Sequence, residues 1–287
     1  MRFIITFIIS IYFSAATLAE PSLSTNTALK IHLAELKPKV PAGFTVIVQP
    51  PFVVIGNEES GRVQQWAKNV VQWAVDKLKQ DYFSKDPKEI IDIWLFKDNA
   101  NYMKYAKELF NDTPSTPYGY YSHTDHALVM NVATGGGTLV HELVHPFIRS
   151  NFPECPPWFN EGLASLYEQC GDHEGHIYGY TNWRLKGLQG MIKSGELVSF
   201  QKLTSMNEDE FYNNNDKYKY NDNYAQSRYL CYYLQEKGLL AKYYREFTAN
   251  AKTDPTGYNT LQKILHETDM NRFQKKWESF VMQLTFP

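Results

Sequence analysis

The sequence predicts an α+β protein of two lobes, and three observations carry that prediction. Strand-like runs rich in Val, Ile, Phe and Tyr alternate with helical spacing only in the first half of the 287-residue chain. From Pro153 onward the apolar spacing is helical throughout. Between the two halves lies the chain's one chemistry-bearing motif. The expected division is a segment 1–19 that precedes the fold, a mixed α/β lobe over 20–152 and a helical lobe over 153–287.

Met1-Arg2 supplies one positive charge, Phe3 to Phe13 is a short apolar core, and Thr17-Leu18-Ala19 offers small residues for cleavage. That pattern is a secretory signal, too short to span a bilayer, so the mature chain is expected to be exported, periplasmic or secreted. No cysteine follows the apolar core and no other apolar run approaches eighteen residues, so no stable membrane anchor is expected. Phe44-Thr45-Val46-Ile47-Val48 and Phe52-Val53-Val54-Ile55-Gly56 read as strands. Val63, Trp66, Val70, Trp73, Ala74 and Leu78 keep helical spacing between Glu59 and Asp81. Ile90 to Phe96 is a third strand and Asn101 to Leu109 a helix. Tyr118 to Ser122 and Ala127 to Val132 form a hairpin whose tip carries His123 and His126. Its second strand runs straight into the next helix.

That next helix carries His141-Glu142-Leu143-Val144-His145. Gly135-Gly136-Gly137 ends the preceding segment, Thr138 is the expected N-cap, and Leu139, Leu143, Val144 and Phe147 are its buried positions. Histidines four apart on a helix share one face, so their imidazoles can converge on one ion. Pro156-Pro157 opens a second helix, which carries Glu161 in Trp158-Phe159-Asn160-Glu161-Gly162-Leu163-Ala164. Two imidazoles and a carboxylate are a catalytic zinc set that leaves a fourth position open. Glu142, one residue past the first histidine, is placed to act on a water there as general base. Chance supplies a His-Glu-x-x-His match in roughly one chain of this length in a hundred, and a chance match has no reason to fall between helix signals.

These residues resemble the gluzincin branch of the zincin metallopeptidases, which includes thermolysin and the aminopeptidase-N enzymes. The wording around both helices is most similar to small bacterial peptidase MA-like domains. The resemblance spans about residues 50 to 250, with only the two helices specific. It implies a zincin-like α+β fold with an edge strand before the active helix, here Ala127 to Val132, and Zn(2+) held by His141, His145 and Glu161. It also implies Glu142 as base and a peptide or protein substrate. The metzincin branch is excluded because Arg149 to Phe152 offers no third-histidine turn.

The chain departs from the gluzincin pattern at two places. Met130-Asn131-Val132-Ala133 lacks the glutamate with which aminopeptidases hold a substrate amine. Ser165 stands where thermolysin-like enzymes place the aspartate that orients a ligand histidine, and Glu168 is a second choice for that task. The oxyanion donor is expected on a later helix over Asn221 to Leu230, capped by Asp222 or Asn223 and ended by Gly238. Tyr224 is the first choice there and Tyr220 the second.

Composition sets further bounds. A formal net charge of −2 and no basic patch argue against a nucleic-acid partner, and Glu208 to Asp222 reads as a polar surface loop. Of the three cysteines, Cys155 and Cys170 bracket the Glu161 helix and are expected to be bridged, while Cys231 reads as a small buried apolar residue. Asp172-His173-Glu174-Gly175-His176 crowds ligand types into a loop that reads as a solvated turn. His32 and His266 lie on polar helical stretches. The sequence thus points to an exported zinc peptidase. A zinc hydrolase of a non-peptide substrate and an inactive zincin-fold binding protein stand as alternatives.

Overall fold

The computed structural model describes residues 23–212 and 220–287, with side chains from 27 to 212 and from 223 onward. The 1–19 signal segment therefore lies outside the described residues. Two compact units are present, Met1–Lys39 and Val40–Pro287. The described part of the first is a helix, α1 (Leu23–Leu36), with a 3-10 turn at Lys37–Lys39. The second unit holds both sheets and the remaining helices.

Its mixed sheet has five strands, β1 (Thr45–Gln49), β2 (Phe52–Gly56), β3 (Ile91–Phe96), β4 (Gly119–Ser122) and β5 (Ala127–Asn131), in the order β1-β2-β3-β5-β4. Strands β2, β3 and β5 run parallel, while β1 and β4 pair antiparallel on the two outer sides. The three central strands are buried at every position, which is why they read as unbroken apolar runs rather than alternations. Between β2 and β3 the chain crosses over through α2 (Ser60–Trp66), a π-helical stretch (Ala67–Gln72) and α3 (Trp73–Asp81), and α4 (Asn99–Phe110) follows β3.

One expectation is corrected by this order. Ala127 to Val132 is not the edge: β5 is flanked by β3 and β4, and β4 is the outermost strand. A tight hairpin folds β4 back over the open side of β5, so β4 is left with the unpaired backbone groups.

After β5 a 3-10 turn (Val132–Thr134) leads into α5 (Gly137–Asn151). The N-cap is Gly136, not Thr138, which falls inside the first turn. Gly137 has a packing reason to be glycine, since a Cβ there would lie 2.0 Å from the carbonyl oxygen of Glu168. Helix α5 can therefore start directly against the residue that later faces His141. Leu139, Leu143, Val144 and Phe147 are all buried, and the Phe147 ring stacks on Phe83 at 5.5 Å. Pro146 sits inside the helix and lacks the N–H that would pair with the Glu142 carbonyl.

Helix α6 (Pro157–Leu166) starts at Pro157 with Pro156 as its cap. It packs against α10 (Tyr220–Glu236) across Gly162, where a Cβ would come within 3.0 Å of the Ser227 carbonyl oxygen and the Cys231 sulfur. The fully buried Arg228 donates to the carbonyls of Ser165 and Leu166 at the end of α6, and to that of Tyr180. A cation there satisfies orphan carbonyls and favours the negative helix end.

The second half is not helical throughout. A hairpin, β6 (Cys170–His173) and β7 (His176–Gly179), follows α6 before α7 (Arg184–Ser194). The stretch expected as a turn-rich loop is this hairpin, with Glu174 and Gly175 at positive φ in its turn. Then come α8 (Phe200–Ser205), α9 (Glu208–Tyr212), α10, α11 (Leu240–Asn250), α12 (Tyr258–Leu265) and α13 (Met270–Gln283). Glu208 to Tyr212 is thus a helix rather than surface loop, and 213–219 lie outside the described residues. Helix α10 begins at Tyr220, which places Asn223 inside the helix rather than at its cap. Gly238 takes a left-handed φ of 65° just past its end, as the sequence predicts.

All three cysteines are free thiols, which corrects the expected Cys155–Cys170 bridge. The ten residues of α6 lie between them and span about 15 Å, whereas a bridge needs Cα atoms roughly 4.4–6.8 Å apart. Burial pushes the thiols up, Cys170 to about 12, so none is a ready thiolate.

Candidate metal centre

Helix periodicity brings His141 and His145 to one side of α5, with ring centroids 4.9 Å apart and planes at 76°. Helix α6 then carries Glu161 up to both rings. Its Oε2 lies 3.4 Å from His141 Nε2 and 4.0 Å from His145 Nε2, and the ligand atoms of the three residues fall within 4.8 Å of one another. Atoms about 2.0–2.1 Å from one tetrahedral ion sit roughly 3.3 Å apart, so modest contraction closes the set. Glu161 Oε2 is buried with no hydrogen-bond partner. An unpartnered buried carboxylate oxygen is costly, and a cation between it and the two nitrogens would remove that cost. The residues fit a bound metal ion. No other such group of His, Cys, Asp and Glu occurs among the described residues.

Each ligand is braced from behind. His145 Nδ1 lies 2.9 Å from Asn160 Oδ1; an oxygen acceptor places the proton on Nδ1 and leaves the Nε2 lone pair for an ion. The Tyr212 hydroxyl donates to Glu161 Oε1 at 2.8 Å, which leaves Oε2 facing the histidines. His141 Nδ1 lies 3.5 Å from Glu168 Oε1, an electrostatic contact longer than a good hydrogen bond. Glu168 is itself held by Arg184, whose Nε and Nη2 donate to its two oxygens at 2.8 and 2.6 Å, and by Asn182 at 2.9 Å. Of the two residues the sequence offers for orienting a ligand histidine, Glu168 faces the ring. Ser165 is buried with its hydroxyl unpartnered.

The charges make this a cation site. Burial alone would push the His141 imidazole down, but its contact with Glu161 and the charges of Glu161, Glu142 and Glu168 raise it to about 9. Burial would likewise push Glu161 up, yet His145, His141 and the Tyr212 hydroxyl hold it at about 2. The folded chain thus keeps a positive charge between carboxylates when only protons are available.

The centre opens on a cleft of about 1890 Å³. Its walls include the edge strand β4, α5 with His141, Glu142 and His145, the Glu161 region, and the first half of α7. Glu142 is half-buried and lines the cleft. Tyr224 also lines it, buried against Phe211 and Tyr212, with its ring 5.3 Å from the Arg184 guanidinium. The side chain of Tyr220 lies outside the described residues.

Four contributors were not legible beforehand. Asn160 precedes Glu161 and carries no spacing signal; Tyr212 sits in a stretch dominated by polar residues; Arg184 and Asn182 act only through the fold. Gly137 is the one sequence clue, because a third consecutive glycine at a helix start signals close approach. Comparison with known protein families finds none that matches this chain, and no curated protein matches its sequence.

Proposed function

We propose that this chain is an exported zinc-dependent peptidase of zincin-like fold, most similar to the gluzincins. The observation that carries the reading is the convergence of His141 Nε2 and His145 Nε2 on the unpartnered, buried Oε2 of Glu161, at the side of a cleft walled by an edge strand. Two imidazoles and one carboxylate suit zinc and leave room for water and substrate. When bound, the ion lowers the pKa of a coordinated water to about 7 and polarises a carbonyl. The five-stranded sheet, with three parallel central strands and an antiparallel outer strand facing the cleft, supports the zincin-like reading. The signal-like residues 1–19 support export.

The chain's own residues divide the remaining work. Glu142, one position past His141 and lining the same cleft, takes the proton from the attacking water and passes it to the leaving nitrogen. Strand β4 offers unpaired backbone groups to an extended polypeptide, which grips any sequence and leaves selection to side chains. Tyr224 donates to the oxyanion that develops on the scissile carbonyl. Tyr212, already bonded to Glu161 Oε1, braces the ligand instead.

The test is peptide-library hydrolysis with and without chelator, repeated on variants. Glu142→Gln should keep its zinc and lose at least about 10²-fold in kcat. Tyr224→Phe should lose about 10²-fold in kcat with zinc affinity preserved, whereas Tyr212→Phe should weaken zinc binding first. Chelator-insensitive cleavage, or turnover by Glu142→Gln within a few-fold of wild type, would overturn the reading.

A further inference from the structure

We propose that Arg149 selects the substrate of this cleft by binding a carboxylate within about two residues of the cleaved bond; the inference rests on the peptidase reading above. Two arginines line the cleft. Arg184 is committed to Glu168, with a nitrogen on each carboxylate oxygen. Arg149 is exposed and makes no ion pair among the described residues; its guanidinium instead lies 5.2 Å from the centre of the Tyr121 ring.

Position gives this residue its role. Arg149 follows His145 by four residues on α5, so His141, His145 and Arg149 form one stripe along the helix. The step from His145 is about 6 Å along the axis, while a strand laid on β4 advances about 3.4 Å per residue. Arg149 therefore stands beside a side chain or chain end about two residues from the metal centre. Tyr121 belongs to β4, the strand proposed to grip the backbone. Its ring lies against the guanidinium, whose N–H groups make no hydrogen bond or ion pair among the described residues.

The ligand follows from that geometry. A guanidinium presents a planar fork that matches a carboxylate bidentately. In the open cleft such a pair is screened and weak, but a bound strand excludes water and strengthens it. An acidic side chain and the carboxylate of a peptide's C-terminus share this chemistry.

The experiment uses the zinc-loaded chain and matched fluorogenic peptides. One arm exchanges Glu for Gln at the two positions on either side of the cleaved bond. The other exchanges a free C-terminal acid for its amide. One arm should show a preference of about tenfold or more for the acid, expressed in KM, and that arm identifies the source. The acid-to-neutral ratio should fall to near 1 in Arg149→Gln. In Arg149→Lys, which keeps the charge without the fork, it should be intermediate; zinc content reports whether each variant is folded. No acid preference in wild type, or a preference that survives in both variants, overturns the inference while peptide cleavage itself stands. Absence of cleavage of every peptide overturns the peptidase reading, and this inference with it.

Discussion

Two regions of this molecule hold similar residue types and behave oppositely. The α5–α6 centre sets two histidines and a glutamate, and the β6–β7 hairpin sets Asp172, His173, Glu174 and His176 within five positions. By composition the hairpin is the denser ligand cluster. On α5 a four-residue step returns the second imidazole to the first one's side, whereas in β6 adjacent residues point to opposite faces, so Asp172 and His173 are directed apart. Two of the hairpin's groups, Asp172 and His176, are also already satisfied. Asp172 pairs with Lys77 at 2.6 Å and accepts from the Gly175 amide, and His176 Nδ1 lies 2.5 Å from Asp81. At the centre, Glu161 Oε2 is buried without a hydrogen bond and faces only the two imidazoles. A cation site is recognised by convergence and unmet need rather than by ligand density.

The largest expected effect breaks that contrast outright. His141→Ala/His145→Ala should lower bound zinc from about one per chain to near zero, read by elemental analysis after dialysis. Full stoichiometry in that variant would move the site elsewhere.

Next in size is the effect of pH. The carboxylates around His141 raise it to about 9 in the metal-free chain, so at pH 7 its imidazole is protonated, and a metal must displace that proton. Zinc affinity should therefore rise with pH, about tenfold per unit between pH 7 and 9, and level off above 9. Calorimetry in buffers of different ionisation heat should find about one proton released per zinc at pH 7. A release near zero would mean that the imidazole is already neutral.

Glu168→Gln should cost about 10–100-fold in zinc affinity, because it removes the charge facing His141 and half of the pair with Arg184. Competition with a chromophoric chelator measures it. An affinity equal to wild type would make Glu168 a buried structural partner of Arg184 rather than a support of the centre.

The smallest effects belong to the hairpin. His173→Ala/His176→Ala should leave zinc content intact and cost no more than about 1 kcal/mol, since the His176–Asp81 pair is largely solvated on the histidine side. Urea denaturation of the metal-free chain reads the second quantity. Loss of zinc in this variant would make the hairpin a second site.

The sequence reading succeeded where local periodicity carries the information. The strands at Phe52, Ile91 and Ala127 and the helices around His141 and Glu161 lie where alternation, apolar runs, proline and glycine place them. The His141–His145–Glu161 cluster was legible for the same reason, since two of its members lie on one helix and the third follows on the next. The reading failed where pairing between distant segments decides. Whether β5 or β4 is the edge depends on which strand β3 pairs with, and β3 lies more than thirty residues before β5 in the chain. The hairpin after α6 lacked a strand-like pattern because Cys170 to His173 alternates little in polarity and contains glycine.

By itself, then, the sequence determined the helix and strand frame and the His141–His145 face, because each depends on contacts a few residues apart; Glu161, sixteen residues past His145, was singled out by its place on the next helix. Only the tertiary structure decided what stands behind those three residues. Asn160 against His145, Tyr212 against Glu161, and the Arg184–Glu168 pair against His141 come from four different stretches of chain. They meet because α5 starts against Glu168 across Gly137 and α6 packs on α10 across Gly162. Orientation of a ligand needs a partner within about 3 Å, and such proximity between remote residues is a property of packing that no local pattern encodes.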